Sequence, residues 1–166
     1  MSAPATRSWD ALARAAAARE AKEEARTLRE LLVFSLDGAV YALPIERVRE
    51  IVRLRALTAV PHVPAEVLGV ISLRGEVVQV LDARRRLGLP SAPRGRTSRI
   101  VVLNGDDGAV AGLLVDAVHE VLRVEEGALR SPTTTEGGLV TALAPRGERF
   151  VSLLAAEKLV EIDGAR

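Results

Sequence analysis

The sequence predicts an all-β protein of two related halves, preceded by a helical arm. Three observations carry this. From residue 31 onward, short β-rich apolar runs alternate with turn signals. One segment returns, altered, 70 residues later. Before residue 31 the composition is different, rich in alanine and charge.

The chain has 166 residues, of which 48% are apolar, so it can build a core without staples. It has no cysteine, which excludes a disulfide framework, a thiolate metal site and a cysteine nucleophile, and fits a reducing cytoplasm. Twenty-three basic residues face 22 acidic ones, for a net charge of +1. Nucleic-acid binding needs a basic surplus, and the local candidates are Arg84, Arg85, Arg86, Arg94 and Arg96. No aromatic residue interleaves with them, so they read as a solvated helix end and loop, with no nucleic-acid partner. The alanine run Ala15 to Ala18 lies between Arg14 and Arg19 and is too short for a membrane span or an export signal.

In chain order, Asp10 to Glu30 has no Gly or Pro and reads as a helix that Ser8 could cap. Its apolar face is weak (Trp9, Leu12, Ala16, Leu28), so residues 1–30 read as a solvated arm. Leu31 to Leu36, the Asp37-Gly38 turn and Val40 to Leu43 form a hairpin. Ile45 to Val48 reads as one helical turn and Glu50 to Leu54 as a strand; Pro61 and Pro64 mark a bend. Val70 to Leu73 and Val77 to Leu81, joined at Arg74-Gly75, make a second hairpin. Leu87 to Thr97 is broken four times by Gly or Pro and reads as a loop. Ile100 to Leu103 and Val110 to Val115 flank a Gly- and Asp-rich turn. Val118 to Val124, Val140 to Leu143 and Phe150 to Leu153 complete the strands, and Ala155 to Leu159 a short closing helix.

Residues 37–54 align with residues 107–124 at eight identical positions, among them Asp37/Asp107, Leu43/Leu113, Val48/Val118, Glu50/Glu120 and Arg53/Arg123. Arg74-Gly75-Glu76 returns as Arg146-Gly147-Glu148, 72 residues on. Two units result, about 31–90 and 98–160. Each is marginal alone, so the pair is expected to pack together and share a core across 31–160.

The same residues resemble the CheW family of chemotaxis coupling proteins. The resemblance rests on four motifs in order: Ile45-x-x-Val48-x-Glu50-Ile51, then Gly69-Val70-Ile71-Ser72-Leu73-Arg74-Gly75. Gln79-Val80-Leu81-Asp82-Ala83-Arg84 follows, and last Gly112-Leu113-Leu114-Val115-Asp116-Ala117-Val118. Ser72 and Gln79 depart from the family's usual Asn and Pro. The resemblance implies two pseudo-symmetric five-stranded SH3-like β-barrel subdomains. It also implies a non-enzymatic adaptor without cofactor or metal, associated with cytoplasmic or membrane-bound receptor arrays. The implied partners are the regulatory domain of a CheA-type histidine kinase and the cytoplasmic tip of methyl-accepting chemoreceptors. The matching receptor-binding residues are Val48, Glu50, Gly69 and Arg74. The alternative is a polar-positioning or array-scaffold protein that recruits another component through its arm.

Arg74 reads either as a turn residue with its head in water or as a guanidinium held beside the groove by Glu50; if Glu50 and Arg74 meet, the repeat predicts that Glu120 and Arg146 meet at the pseudo-symmetric place. A bidentate geometry would fix both groups beside the groove. Val48 reads as core or groove surface. Gly69 reads as a bend residue or as a place for a partner helix to approach. Asp82 and Asp116, at strand ends, read as caps or turn residues, and Asp106 and Asp107 as turn chemistry. His62 and His119 belong to no metal-protease motif, and no nucleophile elbow, phosphate loop or dinucleotide fingerprint is present.

Overall fold

The computed structural model describes residues 8–133 and 138–162; the first seven residues of the predicted arm lie outside them. Ten strands form two five-stranded sheets. The elements are α1 (Ser8–Arg26), β1 (Leu28–Leu36), β2 (Ala39–Pro44), a 3-10 turn (Ile45–Arg47), β3 (Val48–Arg53), β4 (Val67–Leu73), β5 (Glu76–Asp82) and α2 (Ala83–Arg86). There follow β6 (Arg99–Asn104), β7 (Val110–Val115), β8 (Ala117–Glu125), a second 3-10 turn (Glu126–Ala128), β9 (Val140–Arg146), β10 (Arg149–Leu154) and α3 (Ala156–Val160).

The first sheet has the order β8-β1-β2-β10-β9 and the second β3-β6-β7-β5-β4. The two orders are the same once each strand is replaced by its repeat counterpart. Each sheet, however, takes strands from both sequence repeats. The best-conserved stretch of the repeat spans the crossover itself: β2 lies in one sheet and β3 in the other, as do β7 and β8. The repeat unit and the sheet are therefore different objects, and the two halves exchange strands rather than merely packing face to face.

Among the described residues, neither sheet closes into a continuous barrel ladder. The return is made by one isolated bridge in each: Thr58 with Val70 across β4, and Arg130 with Leu143 across β9. Each bridge carries two backbone hydrogen bonds of 2.8–2.9 Å.

Three clusters make the core. Leu31, Val33, Ala42, Val151 and Leu153 fill the concave side of the first sheet. Ile71, Val78, Val80, Ile100 and Val102 fill that of the second. Between the sheets lies a larger shared cluster with Leu32, Phe34, Leu43, Leu81, Val101, Leu103 and Leu113. This explains the unbroken apolar runs in β1 and β6. Alternate residues serve different cores, so both faces of the strand are buried.

The helix ends at Arg26 and β1 begins at Leu28, so the strand claims three residues that the sequence places in the arm. Leu28, Arg29 and Glu30 pair with Glu125, Val124 and Arg123 of β8. The long edge strand β8, not local alternation, extends β1. No side chain of α1 is buried, and Trp9 is 81% exposed. The helix touches the body at its last turn, where Ala25 sits against Gly127. Among the described residues no helix is long and apolar enough to cross a membrane.

Candidate interaction surface

β3 begins where the chain passes from the first sheet to the second. Its residues alternate: Val48, Glu50 and Val52 half-buried, Arg49, Ile51 and Arg53 exposed. Val48 stands opposite Leu103 and packs against the shared core, as does its repeat counterpart Val118. Glu50 is 21% exposed and accepts a hydrogen bond from Arg74 Nη2 at 3.1 Å, while Arg74 itself is 75% exposed. Arg74 leaves the β4–β5 turn, where it and Gly75 both have positive φ (52° and 82°), as a type I′ hairpin requires. The contact is a single hydrogen bond rather than a fork. Beside it Arg49 Nη1 donates to Glu76 at 2.8 Å.

In the other half, Arg146 Nε donates to Glu120 at 2.5 Å. The structure thus brings Glu and Arg together at both places, but from different backbone positions. Gln79 pairs with Ala111 and Ser152 with Tyr41, which sets the strand repeat at 73 residues in this part of the chain. The Arg-Gly-Glu echo runs at 72. Arg146 is consequently the last residue of β9, opposite Arg149, whereas Arg74 is a turn residue. The length of the arginine side chain absorbs the one-residue offset.

Gly69 is buried with φ +148°, and a Cβ built on it would lie 2.5 Å from the carbonyl oxygen of Thr58. The space on the Cβ side of Gly69 is filled by the chain's own bridging segment. The glycine serves the Thr58–Val70 bridge that turns the sheet back on itself.

A second polar centre joins the two sheets. Arg84, 14% exposed, forks onto Asp116: Nε lies 2.9 Å from Oδ1 and Nη2 2.5 Å from Oδ2. Its Nη1 donates to the Pro90 carbonyl at 3.0 Å and lies 3.5 Å from Asp37. Asp116 also accepts the backbone N–H of Asp37 at 2.8 Å. Asp37 belongs to the β1–β2 turn of the first sheet, and Asp116 directly follows β7 of the second. Asp116 is therefore a tie between sheets, not a local turn residue; Asp82 does cap α2, accepting from the Arg84 N–H at 3.0 Å. Burial alone would raise the Asp116 carboxyl. The hydrogen bonds from Arg84 and Asp37, with the Arg84 charge, outweigh it and hold the group below its ordinary value.

Arg84 and Arg86 are thus not solvated. Arg86 Nε donates to the Leu159 carbonyl at 2.9 Å, its Nη2 reaches the Lys158 carbonyl, and Glu66 lies 3.8 Å away. These two arginines fasten the short helix α2 to β7 and α3. The motifs containing Asp82, Arg84 and Asp116 marked the residues, but nothing in the sequence marked the contacts.

A sequence profile of the CheW-like domain matches residues 30–163. The "Probable chemotaxis protein CheW" of Rhizobium etli is 35% identical over 137 residues, covering 79% of this chain and 86% of that protein. The "Chemotaxis protein CheW" of Helicobacter pylori is 27% identical over 151 residues, covering 89% and 91%. Among solved structures, the scaffolding protein TtCheW of Thermoanaerobacter tengcongensis superposes with a TM-score of 0.77 at 32% identity, covering 83% of this chain and 96% of that one. Two five-stranded sheets of matching order, a shared core and this agreement in sequence lead to one conclusion: the chain belongs to the CheW family, the scaffold and adaptor proteins of bacterial chemotaxis.

Proposed function

We propose that this protein is a non-enzymatic adaptor that couples chemoreceptors to a CheA-type histidine kinase in a cytoplasmic signalling array. The observation that carries the reading is the Glu50–Arg74 pair beside Val48, at the crossover between the sheets. It sets half-buried Val48 beside a carboxylate and an exposed guanidinium, an arrangement suited to the tip of a receptor helix. Val48, Glu50 and Arg74 present that surface, and Gly69 supports it. The kinase regulatory domain, itself CheW-like, is expected on the exposed sheet edges. Titration calorimetry with a CheA regulatory domain from the same organism tests the reading. Saturable binding, weakened by changes on an exposed edge, supports it; no binding by the folded protein overturns it.

The projecting helix favours a second reading, an array scaffold that recruits another component through α1. Its test is deletion of residues 1–26, which spares β1. Kinase coupling intact with normal placement in the cell supports the adaptor, and lost placement supports the scaffold.

A further inference from the structure

The two sheets carry the same cross-strand position with different charges. In the first sheet Glu30 of β1 stands opposite Arg123 of β8, and the two form an ion pair at 3.2 Å. Two residues further along β8 is Glu125. In the second sheet the corresponding residue of β6 is Arg99, and it stands opposite Arg53, the repeat counterpart of Arg123. The counterpart of Glu125 is Arg55. Three equivalent positions thus read Glu, Arg, Glu in one sheet and Arg, Arg, Arg in the other.

Like charges directly opposite one another oppose strand pairing. The first sheet shows that the fold does not require them. Among the described residues no carboxylate lies within ion-pair distance of Arg53, Arg55 or Arg99. Arg99 Nη1 donates only to the backbone carbonyls of Arg96 and Ser98, both at 2.9 Å, and Arg55 Nη1 reaches the Ser72 carbonyl at 3.5 Å. These contacts leave the charges uncompensated. Exposed Arg96, whose carbonyl accepts from Arg99, adds a further arginine just before β6.

We propose that this arginine face docks an acidic segment of a partner protein, whose carboxylates take the place that Glu30 and Glu125 hold in the first sheet. Charge complementarity defines the partner. A nucleic acid fits less well, because Trp9, Phe34, Tyr41 and Phe150 all lie on α1 or the first sheet, so no base could stack here. The proposal is independent of the receptor and kinase assignments.

The test is fluorescence anisotropy of a short labelled polyglutamate peptide titrated with the full chain. The wild type is expected to bind saturably at low salt and to weaken as salt rises. Arg99→Glu installs the first sheet's arrangement; it is expected to lose about tenfold or more in affinity while its thermal midpoint holds or rises. Arg55→Gln, outside the ladder, should also weaken binding, and it decides the matter if Arg99→Glu perturbs folding. Arg123→Gln should bind as the wild type does. Absence of saturable binding, or Arg55→Gln and Arg99→Glu both binding like wild type, overturns the proposal. So does tighter binding of a labelled oligonucleotide of equal charge, or salt-sensitive self-association abolished by Arg99→Glu, which would make a second copy the occupant.

Discussion

Asp116 does at the residue scale what no neighbour in sequence could do for it: it holds a guanidinium from α2 and a backbone N–H from the other sheet. Its carboxyl is held below the ordinary value in the folded chain and returns to the ordinary carboxylate range on unfolding. The stability it supplies is therefore present above that range and is lost as pH falls through the lowered folded value. Asp116→Ala is expected to reduce the unfolding free energy by about 1–2 kcal/mol at neutral pH, discounted for its partial exposure. It should also flatten the acid limb of a stability–pH profile measured by urea unfolding. Glu50 and Arg74 make the opposite case. Their contact is a single hydrogen bond with the guanidinium mostly in water. A double-mutant cycle on unfolding should return a coupling of about 0.2–1 kcal/mol, and one above about 2 kcal/mol would contradict this geometry. The pair adds little to holding the fold.

The hairpins follow from their turns. Asp37-Gly38 and Arg74-Gly75 both place two residues at positive φ, which twists the flanking strands correctly. This local chemistry is readable from dipeptides, and the strands on either side lie where alternation puts them. The extension of β1 to Leu28 was not readable, because Leu28 is exposed and only the length of β8 demands it. The sharpest element-level constraint is at β4, where the backbone of Thr58 occupies the space of a side chain on Gly69. Gly69→Ala is expected to lower the unfolding free energy by about 2 kcal/mol or more, read from the urea midpoint, through both clash and left-handed strain. A neutral result would mean that the Thr58–Val70 bridge does not hold the sheet in its curl.

Across the whole molecule, strand exchange makes the two halves one cooperative body. Phe34 is fully buried in the shared cluster and stacks on Tyr41 across the β1–β2 pair, with ring centroids 6.1 Å apart. Removing the β8 edge from the first sheet, or the β3 edge from the second, cannot be done without pulling on the other. Calorimetry should show one unfolding transition, and Phe34→Ala should lower stability by about 3–5 kcal/mol without splitting it. Two resolved transitions would show that the sheets unfold separately. The arm is outside this unit, since its contact with the body is confined to its last turn.

The sequence by itself determined the two-fold repeat, the hairpins, the approximate span of most strands and the family. Each rests on interactions between neighbours in the chain: side-chain period, turn dihedrals and the spacing of one unit from the next. Only the tertiary structure decided which sheet each strand joins, because a repeat announces two similar units and is silent on whether they exchange strands. Only the tertiary structure showed that Arg84 finds Asp116, 32 residues away, or that the backbone of Thr58 lies against Gly69. It alone set Arg53 opposite Arg99 where the other sheet sets glutamate opposite arginine. Long-range pairing depends on register and curvature, and these are properties of the assembled sheets, not of any segment within them.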